Sequence, residues 1–384
     1  MHRGDATTVT AFFDESSDGS AHRWASRRPA RRARRRAAFG SLIVSGVLMS
    51  SGVAVLTPSA AAEVTADREG SAGRTAAIVP TFDLNYNSAE DPRTCDQPEV
   101  APDDPGFCLD LYKKDTSRKK PLVVVIHGGG WIEGAARRGT RFVRVAKDLA
   151  KAGYVALIMD YPKASDDPRV VGTPMQEDAV NDAVAWATTK ANRLQYGIDQ
   201  TKIAFIGGSS GGQLSLLAAF NANEAAAGRI TMAYSLSGPV DLWEPIRQLQ
   251  EFEVVPGDPG FEEGTPGFRN IELYLGCDWD GDTAPTCEEA QAKAVSPLYI
   301  GDSTCPLVRI TRSETEDMVE AEDLVARLLE RGCGSAADPR AVASLAGTQH
   351  GFGQWPLIGA SVIADLDEHM KPAPPPPPPP PRAS

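Results

Sequence analysis

Apolar runs long enough for a buried strand alternate with segments of helical periodicity over most of this chain. Four such runs are PLVVVIH (121–127), YVALIMDY (154–161), KIAFIGG (202–208) and PLVRIT (306–311). Continuous Val, Ile and Leu is typical of strands buried on both faces, and repeated strand–helix units build parallel sheets. The alternation therefore predicts an α/β fold with a mostly parallel central sheet and helices on both faces.

Residues 241–300 interrupt this alternation. The segment contains Trp, Gly, Pro and acidic residues and follows a strand-like run, ITMAYSLSG. Segments in this position of α/β proteins commonly form ligand-shaping loops, so we expect an inserted loop or cap region here. Trp243 and Trp279 within it, and Trp131 upstream, are candidates for a substrate-binding wall or, equally, for core packing.

The first 62 residues differ in charge from the rest. They carry nine Arg and four acidic residues, a net +5, which leaves −17 on the remainder of a chain whose total is −12. An Arg cluster is followed by an apolar stretch at 38–56 and then by the small residues of SAAAE. The three regions of a signal peptide come in this order. A retained membrane anchor is the alternative, because the stretch approaches spanning length. The Ala-rich segment after the apolar stretch favours cleavage near Ala62. We therefore expect a secreted protein without stable membrane insertion.

The remaining chain divides by composition. We expect a polar lead-in at 63–105, a catalytic α/β domain at 106–371 and a polyproline tail at 372–384, where the sequence reads PAPPPPPPPPRAS after Lys371. The acidic body argues against a nucleic-acid partner. The oligomeric state is left open.

All six cysteines follow the predicted cleavage point. An even number in an exported chain indicates disulfides, and six cysteines allow 15 pairings. Proximity along the chain favours Cys95–Cys108, Cys277–Cys287 and Cys305–Cys333.

The segment IAFIGGSSGGQLS (203–215) places two serines between pairs of glycines. Both Ser209 and Ser210 fit the pattern G-x-S-x-G, in which a strand turns sharply into a helix and exposes a nucleophile at the tip. The strand-like KIAFI and the helix-like QLSLLAAF provide the required context. A phosphate-binding loop is the rival interpretation, but the lysine of a P-loop is missing.

Upstream, HGGGW (127–131) follows the first buried strand directly. Three glycines allow backbone N–H groups to converge on one point, where they can stabilise an oxyanion. This segment is the known partner of the G-x-S-x-G turn. The segment therefore predicts an oxyanion hole.

The general base follows by elimination among five histidines. His2 and His22 lie in the predicted signal peptide, His127 precedes the serines, and His369 lies near the chain end. His350, in GTQHGFG, follows the last strand-like run, as the order Ser, acid, His requires. The acid should follow PLVRIT, where Asp317 is favoured, Glu316 is close behind and Glu314 is a further candidate.

These motifs together resemble the bacterial feruloyl-esterase-like branch of α/β-hydrolases, akin to hormone-sensitive-lipase-type carboxylesterases. The resemblance rests on HGGGW, YGIDQTKIAFIGGSSGGQLS, SPLY and HGF, and spans about residues 120–365. It implies Ser209 as the nucleophile, with Ser210 supplying a backbone N–H to the oxyanion hole beside those of Gly129 and Gly130. Pro162 in MDYPK stands where the family has Arg, so the family's local ion pair is not expected.

The resemblance implies a serine carboxylic-ester hydrolase that forms an acyl-enzyme and needs no cofactor. The substrate would be a small-molecule or polymer-linked ester. An amide- or peptide-bond hydrolase, such as a formamidase or an aminopeptidase-like enzyme, is the alternative on the same residues. CDWDGDTAPTCEE has the outline of a calcium loop, but Thr283 stands where the loop needs glycine, so we expect no metal.

Overall fold

The structure, a computed structural model, describes most of the chain from residue 76 onward, all of it within one compact unit, Ser71–Ser384. The described residues are 76–87, 95, 106–115, 118–134, 136–165, 172–221, 230–252, 266–277, 286–300, 305–316, 319–333 and 337–372. The predicted signal peptide, most of the lead-in and nearly all of the polyproline tail lie outside them. So do Asp317, Trp279 and most of the calcium-like loop.

The described residues contain an eight-stranded sheet with the order β1-β2-β4-β3-β5-β6-β7-β8. The strands are β1 (Ile78–Asn85), β2 (Cys108–Lys114), β3 (Lys120–Ile126), β4 (Val155–Met159), β5 (Ile198–Gly208), β6 (Ile230–Leu236), β7 (Leu307–Ser313) and β8 (Val342–Leu345). Strands β3 to β8 pair in parallel, while β2 pairs antiparallel with both β1 and β4.

Nine α-helices connect and cover the strands in this part of the chain. They are α1 (Thr140–Ala152), α2 (Met175–Thr188), α3 (Lys190–Tyr196), α4 (Ser210–Phe220), α5 (Trp243–Phe252), α6 (Pro266–Leu275), α7 (Glu289–Ala294), α8 (Val319–Glu330) and α9 (Trp355–Met370). Two short 3₁₀ helices, Pro297–Tyr299 and Gly351–Gln354, are also present.

Alternate side chains of β3 show how the sheet is buried on both faces. Leu122, Val124 and Ile126 join one apolar cluster, with α2, α4 and α8, whereas Val123 and Val125 join a second cluster, with α1 and α9. All five side chains are fully buried. The predicted α/β fold, a mostly parallel sheet with helices on both faces, is confirmed.

The sheet begins earlier than the sequence predicts. Strand β1 lies within the predicted lead-in, before residue 106, and pairs with β2. Strand β1 is half-exposed and contains Pro80, which an edge strand tolerates. Its weak apolar pattern explains why periodicity alone missed it.

The predicted insertion at 241–300 contains α5, α6 and α7 among its described residues, together with the first 3₁₀ helix. It lies between β6 and β7, which are neighbours in the sheet. A hydrogen bond connects it to α4, where the Gln213 amide donates to the Val295 carbonyl oxygen at 2.7 Å. The insertion is thus a helical layer that packs on the core.

The three predicted disulfides are confirmed. Cys95–Cys108, Cys277–Cys287 and Cys305–Cys333 join Cα atoms 5.8, 5.0 and 5.3 Å apart. The first holds residue 95 against the start of β2. None of the helices in the described residues combines the length and apolarity needed to cross a bilayer.

Candidate active site

Ser209 occupies the turn between β5 and α4. Its backbone has φ 55° and ψ −129°, a conformation that costs a non-glycine residue strain and is common at functional sites. Its N–H donates to the Leu236 carbonyl at 2.8 Å, and its own carbonyl accepts from the Gly212 N–H at 2.7 Å. The turn is therefore held by hydrogen bonds on both sides of Ser209.

The glycines around this turn allow close backbone approach. A Cβ on Gly207 would collide with the Gly211 carbonyl, and a Cβ on Gly211 would collide with the His127 carbonyl. Any side chain at either position would separate α4 from β5 or from the segment after β3. The G-x-S-x-G spacing thus follows from the crossing of three backbone segments.

The two adjacent serines have different surroundings. Ser209 is partly exposed and lines a cavity. Ser210 is the first residue of α4 and is 1% exposed, with its hydroxyl 3.4 Å from the Tyr161 hydroxyl. Only Ser209 presents its side chain to the cavity, while Ser210 has its amide at the positive end of a helix.

The glycine-rich segment after β3 forms a tight turn beside Ser209. Gly129, Gly130 and Trp131 all have positive φ, at 128°, 55° and 67°. The Gly129 carbonyl accepts from the N–H groups of Ile132 and Glu133 at 3.2 and 3.0 Å. Within the described part of the chain, the amides of Gly129 and Gly130 donate to no backbone carbonyl, so both donors remain available to a ligand.

His127 packs against the backbone of this glycine-rich turn. The ring is fully buried, stacks on Tyr161 with centroids 4.1 Å apart, and its Nδ1 lies 2.6 Å from the Gly128 carbonyl oxygen. Burial lowers the pKa of His127, so the ring is neutral and donates from Nδ1. His127 therefore shapes the glycine turn.

Asp160, after β4, anchors the loop that follows the glycine turn. Its carboxylate accepts from the Ala136 N–H at 2.9 Å and from Arg137 Nε at 2.8 Å. Position 162 is Pro, which provides no cation, and Arg137 supplies a guanidinium from another segment, 23 residues from Asp160 in sequence.

His350 pairs with Glu316. Its Nδ1 lies 2.5 Å from Glu316 Oε1, across 34 residues of sequence. Burial raises the pKa of the Glu316 carboxyl, but hydrogen bonds from His350, the Ser313 amide and the Ser237 hydroxyl outweigh burial and hold that pKa below its usual value. An ionised carboxylate only accepts, so Nδ1 carries the proton and Nε2 is the basic nitrogen.

One cavity brings several of the predicted residues together. It has a volume of about 370 Å³. Its lining consists of Gly128, Gly129, Gly130, Glu133, Arg141, Phe142, Gly208, Ser209, His350, Gly351 and Phe352. Because Ser209 follows β5, the glycine turn follows β3 and His350 follows β8, all three converge at the carboxyl edge of the parallel strands.

Trp131 and Trp243 lie outside the lining of this cavity. Trp131 is 5% exposed, stacks on Tyr274 with centroids 4.9 Å apart and donates its indole N–H to Gln213 Oε1 at 3.1 Å. Trp243 is half-buried at the start of α5 and packs against the larger apolar cluster. Neither belongs to the cavity lining. Phe142 and Phe352 supply the aromatic wall, and the sequence drew attention only to the second, through HGF.

Side chains suited to a metal meet at one place in the described residues. Asp365, Glu368 and His369 on α9 have ligand atoms within 4.8 Å of one another. Asp365 already pairs with Arg309 at 2.7 Å and Arg340 at 2.9 Å. Two guanidinium charges beside one carboxylate oppose the binding of a further cation. None of these three residues lines the cavity.

With this geometry established, similarity to known proteins decides the family. The BD-FAE family model matches residues 109–325, more than half of the chain. The chain belongs to the BD-FAE family. The family predicted from HGGGW, the G-x-S-x-G turn and HGF is therefore confirmed, and the matched region includes the glycine turn, both serines and Glu316.

Curated relatives of this BD-FAE protein match over a shorter region. Esterase LipC of Mycobacterium tuberculosis is 36% identical over 124 residues, which cover 32% of this chain and 29% of LipC. The carboxylic ester hydrolase LipM of the same organism, named as probable, is 33% identical over 119 residues, covering 30% of this chain and 26% of LipM. The chain thus matches less than a third of the length of these relatives.

Solved structures extend the match to most of the fold. An inhibited esterase B from Lactobacillus rhamnosis superposes with a TM-score of 0.51 at 15% identity, covering 76% of this chain and 88% of that one. The hyperthermophilic esterase of Pyrobaculum calidifontis gives a TM-score of 0.50 at 18% identity, covering 76% and 83%. The BD-FAE protein therefore has the α/β-hydrolase fold.

Proposed function

We propose that this protein is a secreted serine carboxylic-ester hydrolase that uses Ser209, His350 and Glu316. One observation carries the proposal: Ser209 and His350 line the same cavity as Gly129 and Gly130, whose amides are available to a ligand. The esterase names of the Mycobacterium tuberculosis relatives agree with it. No cofactor is needed for the chemistry that these residues support.

In the first half-reaction, His350 Nε2 accepts the proton of the Ser209 hydroxyl as its oxygen attacks the acyl carbonyl carbon. The carbonyl π bond breaks, and its electron pair becomes the oxyanion, which accepts hydrogen bonds from the amides of Gly129, Gly130 and Ser210. His350 then returns the proton to the leaving alkoxide oxygen. The alcohol departs and an acyl-Ser209 ester remains.

In the second half-reaction, water replaces the alcohol. His350 accepts one proton of the water as its oxygen attacks the acyl carbon, and the same amides hold the new oxyanion. The proton passes to the Ser209 oxygen as the acyl bond breaks, releasing the carboxylic acid. The Glu316 carboxylate keeps its hydrogen bond to Nδ1 and stabilises the imidazolium in both halves.

Mutation of the two serines tests this assignment. Ser209→Ala is expected to abolish hydrolysis of short-chain p-nitrophenyl esters and labelling by a serine-directed phosphonate. Ser210→Ala should retain both, because only its amide is used and an alanine keeps the amide. Loss of labelling in Ser210→Ala alone would contradict the choice of nucleophile.

The same assay separates esters from amides. Esters should be hydrolysed, and aminoacyl anilides should be hydrolysed far more slowly by the wild-type protein. The reverse preference would show that the same catalytic residues belong to an amide hydrolase and not to an ester hydrolase.

Export is part of the proposal. It is supported by the predicted signal peptide at 1–62 and by three disulfides, which persist in oxidising compartments. The substrate would then be an ester outside the cell, either a small molecule or a polymer-linked group.

A further inference from the structure

Ser237 lies directly after β6, beside the proposed acid and base, and no sequence motif marks it. Its φ is 58°, although it is not glycine, and its side chain is buried at 3% exposure. Its N–H donates to the Thr311 carbonyl on β7 at 2.7 Å, which holds it in this conformation. A strained, buried serine indicates that the hydroxyl itself is needed there.

The Ser237 hydroxyl makes three hydrogen bonds to two other loops. It contacts Glu316 Oε2 at 2.8 Å, the Gly351 N–H at 3.1 Å and Gln354 Nε2 at 2.8 Å. A hydroxyl has one proton to donate and two lone pairs that accept. Since Gly351 N–H and Gln354 Nε2 are donors, the Ser237 proton is directed to Glu316.

Gln354 is itself fixed in orientation. Its Oε1 accepts from the Thr311 hydroxyl at 2.6 Å, and its Nε2 also donates to the Gln349 carbonyl at 3.1 Å. The amide therefore presents Nε2, not Oε1, to Ser237. The residues on both sides of His350 are therefore held, because the Gln349 carbonyl accepts from this amide and the Gly351 N–H donates to Ser237.

We propose that Ser237 is a positioning residue, which joins the loops after β6, β7 and β8 and sets the geometry of the Glu316–His350 pair. It orients Glu316 through Oε2 while Oε1 meets His350. It holds the His350 loop through Gly351 and Gln354. This inference rests on the proposed function, because it assigns Ser237 a role in the same proton transfer.

Ser237→Ala and Ser237→Gly test the proposal, with Ser235→Ala as the matched control. Ser235 is two residues earlier on β6, fully buried, and its hydroxyl has no hydrogen-bond partner among the described residues. Glycine at position 237 relieves the strain of positive φ, so Ser237→Gly guards against a variant that fails to fold.

We expect kcat on p-nitrophenyl acetate to fall about 10- to 100-fold in both Ser237 variants, with KM nearly unchanged. This is the fall that the loss of one hydrogen bond to a charged group would cause. Ser235→Ala should keep wild-type kcat. The downfield proton resonance of His350 Nδ1–H should move or broaden in the Ser237 variants and stay in place in Ser235→Ala. Thermal unfolding of each variant accompanies these measurements.

Wild-type kcat in Ser237→Gly, an unmoved Nδ1–H resonance, or an equal loss in Ser235→Ala would overturn the proposal. Unfolding of both Ser237 variants would also overturn it, since Ser237 would then be a residue of the fold alone. A wild-type protein that hydrolyses no ester would instead contradict the proposed function. The proton resonance does not depend on turnover, so it separates the two failures.

Discussion

Adjacent residues can have unrelated roles when a backbone turn separates their environments. Ser209 faces the cavity, whereas Ser210 is buried at the start of α4. At the end of β7, the Glu316 carboxylate accepts from the Ser313 amide at 2.7 Å and also contacts His350, which follows β8.

Glu316 and Asp317 can be distinguished by isosteric substitution. Glu316→Gln is expected to lower kcat about 1,000- to 10,000-fold, because an amide can offer its N–H to His350 and favour the wrong tautomer. Asp317→Asn, the matched control on the neighbouring residue, should stay near wild type. Steady-state kinetics on a p-nitrophenyl ester measures both. A large loss confined to Asp317→Asn would identify Asp317, the residue that the sequence favoured, as the acid.

At the scale of elements, the loop between the glycine turn and α1 is attached to the sheet by buried charges. Arg137 lies 2.8 Å from Asp160, 3.1 Å from Asp83 and 3.6 Å from Asp110. These carboxylates come from the end of β4, from β1 and from β2. Burial raises the pKa of Asp110 above its usual value, and the nearby guanidinium groups offset only part of this rise. The buried carboxylates of this cluster therefore need the positive charges beside them.

Removal of Arg137 should therefore be costly. Arg137→Ala is expected to lower the free energy of unfolding by about 3–5 kcal/mol, since it leaves buried carboxylates without a counter-charge. Arg138→Ala, whose side chain is 58% exposed against 11% for Arg137, should cost about 1 kcal/mol or less. Equilibrium denaturation with urea measures both values, and equal losses would contradict the distinction between buried and exposed pairs.

At the scale of the whole molecule, three covalent links join segments that are close in sequence. They join residues 13, 10 and 28 positions apart, and the longest one links Cys305, two residues before β7, to Cys333, three residues after α8. By lowering the entropy of the unfolded chain, the 28-residue link stabilises the folded state by about 3–4 kcal/mol. Disulfides persist in oxidising compartments, so these links support the proposed export.

Intact-mass spectrometry of protein recovered from the culture medium tests this description. We expect a chain that begins within about three residues of Ala62 and a mass lower by six hydrogen atoms than that of the reduced chain. Reduction before analysis should restore those hydrogens and provides the control. Protein found only in the cell fraction with its first 62 residues intact would contradict export.

Much of this protein follows from local sequence. The α/β class, the family and the three disulfides could be predicted because strand and helix periodicity, glycine spacing and short cysteine separations act over a few residues. Ser209, His350 and the glycine amides were named in the same way, and their catalytic roles stay predictions. Strand β1 was missed because an exposed edge strand has little apolar pattern to detect.

Only the tertiary structure decided which side chains meet. Ser237 lies 79 residues from Glu316 and 114 from Gly351, and Arg137 pairs with Asp160 across 23 residues. Trp131, a candidate for the pocket by sequence, is packed in the core, while Phe142 lines the cavity from α1. Hydrogen bonds and packing depend on how distant strand ends converge, and no local pattern carries that information.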